Sequence, residues 1–138
     1  MASTPASACT ETRPPVAQPL AGLRVVEFTH MVMGPACGLV LADLGAQVIK
    51  VEPLEGEATR RLLGAGTGFF PMFNRNKSSI ALDLKHPQGL EVARRLALSA
   101  DVVAENFKPG TLDKFGLDAA TLMEQNPRLI HVLSLIHI

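Results

Sequence analysis

"LRVVEFTHMVMGPACGLVLADLGAQVIKVE", residues 23–52, decides the fold. Residues 23–29 are short, β-branched and bounded by Gly22, the pattern of a strand. Pro35 suits a first helical turn and Gly45 suits a position just past a last one, which predicts a helix over 35–44. That helix is apolar on nearly every side except Asp43, so it is expected to be buried. Residues 46–52 read as a second strand, stopped by Pro53. Strand, helix and strand in thirty residues make a βαβ unit and point to a parallel sheet. The polar pair Thr29-His30, followed by a loop and Gly34-Pro35, breaks the chain where such sheets place ligands, at the carboxyl end of a strand.

The same alternation continues along the chain. A short helix is expected near 58–63, then a glycine-rich loop. Residues 78–84 form a third strand and 86–100 an amphipathic helix with Leu90, Ala93 and Leu96 or Ala97 inward and Glu91, Arg94 and Arg95 outward. Residues 101–107 form a fourth strand. Residues 117–127 form a helix with Asp118 as N-cap and Pro127 as its stop, and 128–136 a fifth strand. The fold class is α/β: a Rossmann-like, mostly parallel open sheet with flanking helices, present as a partial domain.

Composition narrows the function. Of 138 residues, 47% are apolar and 19% charged, and the formal net charge is zero, which argues against a nucleic-acid partner held by charge. No apolar run reaches the roughly 18 residues of a membrane span. The two cysteines, Cys9 and Cys37, make neither a disulfide framework nor a zinc pattern, and the scattered histidines offer no metal spacing. A reducing, cytoplasmic setting follows, with no metal. Residues 1–18 read as a disordered extension rather than a secretory signal; a transit peptide leading to an organelle matrix is the alternative.

Several groups carry two readings each. The loop "GAGTGF" (64–69) is either a phosphate cradle or a mobile loop; it lacks the strand before and helix after that a dinucleotide fingerprint needs. Glu52 is either a ribose ligand or, more simply, a solvated acid at a strand end. Arg75 and Lys77 either face one anion or lie in a solvated turn. Asn106 and Phe107 either bond and stack a planar ring or form an ordinary strand-to-turn junction. His30 alone reads as a capping or packing residue.

Taken together, "PLAGLRVVEFTH…GPACG…LADLGAQVIKVEP", "MFNRNKSSIALDLKHPQG", "ADVVAENFKPGTLDKFGL" and "NPRLIHV" resemble the N-terminal part of the class III CoA-transferases, the family of formyl-CoA transferase and carnitine-CoA transferase. The resemblance spans about residues 19–132 and implies coenzyme A as substrate, with acyl-CoA and a small carboxylic acid as partners. It also implies an interlocked homodimer in the complete protein. The resemblance further implies that the loop after the first strand approaches CoA through Val32 and Met33, where relatives often carry Gln or Ala, while Pro53 stands where some relatives carry a basic residue. Ala81, Leu82, Asp83 and Leu84 match the stretch that lines the adenine. Asn106, Phe107 and Lys108 match a second CoA-contacting stretch, and Lys114 stands where a basic residue meets a CoA phosphate.

The family's chemistry is covalent: an aspartate attacks the thioester, and an aspartyl-CoA intermediate is opened by the acceptor. None of Asp43, Asp83, Asp101, Asp113 and Asp118 matches that aspartate, which lies further downstream in relatives. Residues 133–138, "LSLIHI", depart from the family pattern and suggest truncation, so the chain alone is expected to be inactive. Two alternatives remain open: an acyl-CoA racemase of the α-methylacyl-CoA type, and a non-catalytic CoA-binding half-domain.

Overall fold

The computed structural model describes residues 18–134. The expected extension over 1–18 therefore lies outside the described residues except for Gln18, and so does the tail beyond Ser134. The elements run β1 (Arg24–Phe28), α1 (Met33–Asp43), β2 (Gln47–Glu52), α2 (Phe69–Asn74), β3 (Lys77–Ala81), α3 (Pro87–Leu98), β4 (Val102–Glu105), α4 (Ala119–Gln125) and β5 (Ile130–Leu133). Short 3-10 turns cover Ala58–Arg61, Gly64–Gly66 and Asp113–Phe115.

All strands are parallel, in the order β3-β2-β1-β4-β5. The chain moves one way from β1 through β2 to β3, then α3 carries it back across the sheet to β4 on the other side of β1. The direction reverses between β1 and β4, and that is the switch point where a crevice opens at the carboxyl ends of the strands.

Each face of the sheet has its own apolar layer. Val25 and Val48 pack with Ala42 and Ala46 on the α1 side. Val26, Phe28 and Val103 pack with Ala93 and Ala97 of α3 and Leu122 of α4 on the other. The α3 stripe is as the periodicity predicts: Ala93 and Ala97 are fully buried, while Glu91, Arg94 and Arg95 are exposed. His86 caps α3 by accepting from the Gln88 N–H, with Pro87 in the first helical turn. Asp118 caps α4, accepting from the Thr121 N–H at 2.9 Å.

Three expectations need correction. The α1 helix is not buried all round. Gly34, Pro35, Gly38 and Ala42 face the sheet, because small residues let the helix axis approach the strands, whereas Met33, Cys37 and Val40 are exposed. The glycine-rich stretch does not run on as a loop, since Phe69–Asn74 forms α2, packed on α1. Pro71 is tolerated there because it sits in the first turn, where its missing N–H has no intrahelical partner to lose. The third and fourth strands stop earlier than 84 and 107; Leu82–Leu84 and Asn106–Phe107 fall beyond their ends, in the turns that form the crevice.

Candidate functional site

A cavity of about 550 Å³ opens at the carboxyl ends of the strands, within the range of about 300–1,000 Å³ typical of small-molecule sites. Phe28, Val51, Leu82, Phe107 and Phe115 give it an apolar interior. Asp83 and Lys85 stand at the turn after β3, where the Asp83 carboxylate accepts from the Lys85 N–H at 2.9 Å. Such a lining suits a largely apolar group with polar contacts at its edge.

Six of the residues singled out in the sequence, Glu52, Pro53, Leu82, Asp83, Leu84 and Phe107, are brought together in its walls. Val32, Met33, Ala81, Asn106, Lys108 and Lys114 lie outside them. Val32 and Met33 begin α1, with Met33 exposed. Ala81 is the last residue of β3. Lys108 and Lys114 are exposed, and Lys114 sits in the turn whose Phe115 lines the cavity.

Phe107 stacks on a ring of this chain, and Asn106 bonds that residue's backbone rather than a ring. The Asn106 side chain accepts from the His30 N–H at 2.9 Å and donates to the His30 carbonyl at 2.8 Å. Phe107 stacks on the His30 imidazole with centroids 5.1 Å apart. The loops after β1 and β4 are thus joined across the switch point. Gly34 is required for this closeness: a Cβ there would lie 2.8 Å from both Asn106 Cγ and Thr29 Cβ.

In the cavity wall, Glu52 is not the solvated acid expected. It is 2% exposed. Its carboxylate accepts from Arg60 at 2.7 and 2.6 Å, from Ser79 at 2.5 Å and from the Glu57 N–H at 2.8 Å. Burial opposes ionisation, but the hydrogen bonds from Arg60, Ser79 and the Glu57 amide, with the Arg60 charge, outweigh it and hold the pKa at about 2. With its oxygens so occupied, Glu52 organises the wall rather than presenting free acceptors. Arg60 also lies 3.7 Å over the Phe70 ring, tying α2 to the same group.

Arg75 lies exposed in the turn, as the solvated-turn reading has it, but Lys77 does not, and the two do not face one anion. Arg75 pairs with Asp43 at 2.5 Å on the surface. Lys77 turns the other way, into the protein, and donates to Glu27 at 2.8 Å and to the Pro35 carbonyl at 2.7 Å. Burial lowers its pKa, and the Glu27 charge works against that. Two different carboxylates take the two cations because strand pairing and burial, not spacing, set their directions.

Lys77 is the end of a buried ionic chain that sequence reasoning missed. Glu27 on β1 lies opposite Lys50 on β2 in the sheet register. Lys50 reaches Glu27 at 3.5 Å and Glu57 at 2.8 Å, and it donates to the Thr29 carbonyl at 2.8 Å. Glu27, Lys50 and Glu57 are all buried. A signal was available: one charged residue interrupts each of "RVVEF" and "QVIKV", where central parallel strands are normally continuous apolar runs.

At the far side of the switch point, Glu105 on β4 is buried, and burial followed by the charges of Asp113 and Asp118 pushes its pKa up to about 7. His131 on β5 approaches it at 3.8 Å, with its own pKa lowered by burial. Among the described residues no group of three or more His, Cys, Asp or Glu side chains is placed to hold a metal ion. No helix among them is long and apolar enough to cross a membrane.

Comparison with known proteins bears on this geometry. The model of CoA-transferase family III matches residues 20–134. The chain is 46% identical over 120 residues to a formyl-CoA:oxalate CoA-transferase of Afipia carboxidovorans, covering 83% of this chain and 28% of that one. It is 44% identical over 124 residues to a succinate–glutarate CoA-transferase of Agrobacterium fabrum, covering 82% and 31%. Among solved structures, the orthorhombic form of Rv3272 from M. tuberculosis superposes with a TM-score of 0.81 at 46% identity, covering 86% of this chain and 33% of that one. A CAIB/BAIF family protein from Brucella suis gives 0.79 at 45% identity, with the same coverage of 86% and 33%. The chain therefore spans about a third or less of the lengths of these relatives.

Proposed function

The chain belongs to CoA-transferase family III, and from that premise we propose that it forms the coenzyme A-facing part of an enzyme that moves CoA between an acyl-CoA thioester and a carboxylic acid. The observation that carries this reading is the apolar cavity at the strand ends, with Leu82, Asp83, Leu84 and Phe107 together in its walls. The stretches 81–84 and 106–108 are the two that resemble CoA-contacting segments of the family. In this reading the adenine enters the cavity between the turn after β3 and Phe107, and Lys85, Lys108 and Lys114 offer positive charge to the phosphates.

The chemistry proposed is nucleophilic. An aspartate carboxylate attacks the donor thioester, forming a mixed anhydride and releasing CoA thiolate; the thiolate attacks the aspartyl carbonyl, releasing the donor carboxylate and forming an aspartyl-CoA thioester; the acceptor carboxylate opens that thioester to a second mixed anhydride, whose acyl carbon the freed thiolate attacks to give the new acyl-CoA and the free aspartate. We propose that none of Asp43, Asp83, Asp101, Asp113 and Asp118 fills that role. The 138-residue chain is therefore proposed to bind CoA without turning it over. The complete protein is proposed to work as a homodimer in a reducing cytoplasm.

The test is calorimetric titration of free coenzyme A into the 138-residue chain, alongside a Leu82→Trp variant that fills the cavity. Binding by the wild type and loss of it in the variant support the reading. Absence of binding to the wild type overturns it, and acyl transfer by the chain alone overturns the claim that it lacks the nucleophile. Formyl-CoA with oxalate and succinyl-CoA with glutarate are the donor–acceptor pairs to offer.

A further inference from the structure

We propose that Glu57 is a positioning residue for the loop at the switch point: its carboxylate holds the Met31 backbone N–H and thereby sets the path of residues 30–33 beside the ligand cavity. The ligand's identity rests on the coenzyme A reading above; the latch itself does not.

The loop leaves β1 at Phe28, a cavity wall, and enters α1 at Met33. Between them Met31 has φ 64°, left-handed backbone that is unfavourable for a residue with a side chain. Something must hold it there. Three consecutive residues are gripped by side chains from outside the loop. The Thr29 carbonyl accepts from Lys50 at 2.8 Å. The His30 N–H and carbonyl are both taken by Asn106. The Met31 N–H donates to Glu57 Oε1 at 2.8 Å.

Glu57 is itself held from several directions. Lys50 pairs with it at 2.8 Å, the Thr59 hydroxyl donates to it, and its own N–H donates to Glu52 Oε2 at 2.8 Å. An unbroken chain of contacts therefore runs from the cavity wall at Glu52 through Glu57 to the Met31 amide. A loop fixed in this way meets its ligand without an ordering cost at the moment of binding. The residue that fixes it need not touch the ligand.

The experiment measures amide hydrogen exchange residue by residue and coenzyme A affinity in the wild-type chain, Glu57→Ala and Glu57→Gln. Glu57→Gln keeps an acceptor oxygen for Met31 and loses the charge pair with Lys50. In the wild type the Met31 amide is expected to be protected. In Glu57→Ala it should exchange about tenfold faster or more, while the Val25 and Val26 amides of β1 keep their protection, since only a local opening is created. Coenzyme A should bind the Ala variant about tenfold more weakly, with Glu57→Gln recovering both readouts. A wild-type Met31 amide as fast as open loop, or a uniform loss of protection across β1 in Glu57→Ala, overturns the proposal. So does a Gln variant with an unprotected Met31, and that comparison decides the matter if the Ala variant does not fold. A chain that binds no coenzyme A sinks the ligand reading, while the Met31 exchange pattern still decides the latch.

Discussion

Glu27 and Lys50 face each other across the pairing of β1 with β2, with Nζ 3.5 Å from Oε1 and neither side chain more than 1% exposed. Ion pairs this deep are seldom a net source of stability against an apolar alternative, because desolvating two charges is expensive. Breaking one is a different matter. Lys50 also serves Glu57 and the Thr29 carbonyl, so Lys50→Met leaves Glu57 without its cation and Glu27 with Lys77 alone. The expected loss is about 3–5 kcal/mol, read as a large drop in the urea midpoint. A loss below about 1 kcal/mol, the scale of a surface pair, would show that the network is open to water.

Gly38→Ala tests the same network from the helix side. A Cβ at Gly38 would collide with Glu27 Oε2 and lie 3.0 Å from Lys77 Nζ. Neither group can retreat without giving up a buried ion pair. The substitution should cost about 1–3 kcal/mol although alanine is the better helix former. Gly68→Ala is the control: a Cβ there meets nothing within 4 Å, and its thermal midpoint should stay within about 0.5 kcal/mol equivalent of the wild type.

The raised pKa of Glu105, about 7 against an ordinary 4.5, makes stability depend on pH in a defined sense. The folded state binds this proton more tightly than the unfolded state. The contribution is complete below about pH 4.5 and is lost as pH rises through about 7. Asp113 and Asp118 strengthen the effect by repulsion, while His131, 3.8 Å away, has a lowered pKa and so works in the opposite direction on acidification. Glu105→Gln should raise the thermal midpoint at pH 8 and change it little at pH 5. An equal shift at both values would assign the effect to packing instead.

Asp118→Ala removes the cap of α4, whose carboxylate accepts from both the Thr121 N–H and hydroxyl. These bonds lower the Asp118 pKa, so the cap is present at neutral pH and lost on strong acidification. The variant should be about 1 kcal/mol less stable at pH 7. It should also bring the Glu105 titration down toward its ordinary value by removing one of the two repelling charges. NMR titration of the Glu105 carboxyl carbon reads that shift directly.

With the exception of α2, the order of strands and helices, the parallel sheet, the Asp118 cap and the inward stripe of α3 were legible in the chain itself. Each of these depends on residues within about a dozen positions of one another, where periodicity, proline geometry and capping act locally. It also pointed to the strand ends as the site, because a parallel sheet places loops there whatever its pairing order. Strand pairing in three dimensions was needed to put β1 between β2 and β4, and so to bring the loops at His30 and Asn106 together. Three-dimensional packing alone decided that Glu52 is buried, that Arg75 and Lys77 go to different carboxylates, and that Glu27, Lys50 and Glu57 form one chain. The physical reason is common to all of these. A charge's partner is chosen by strand register and burial among residues tens of positions apart, and a linear sequence carries no register until the strands have paired.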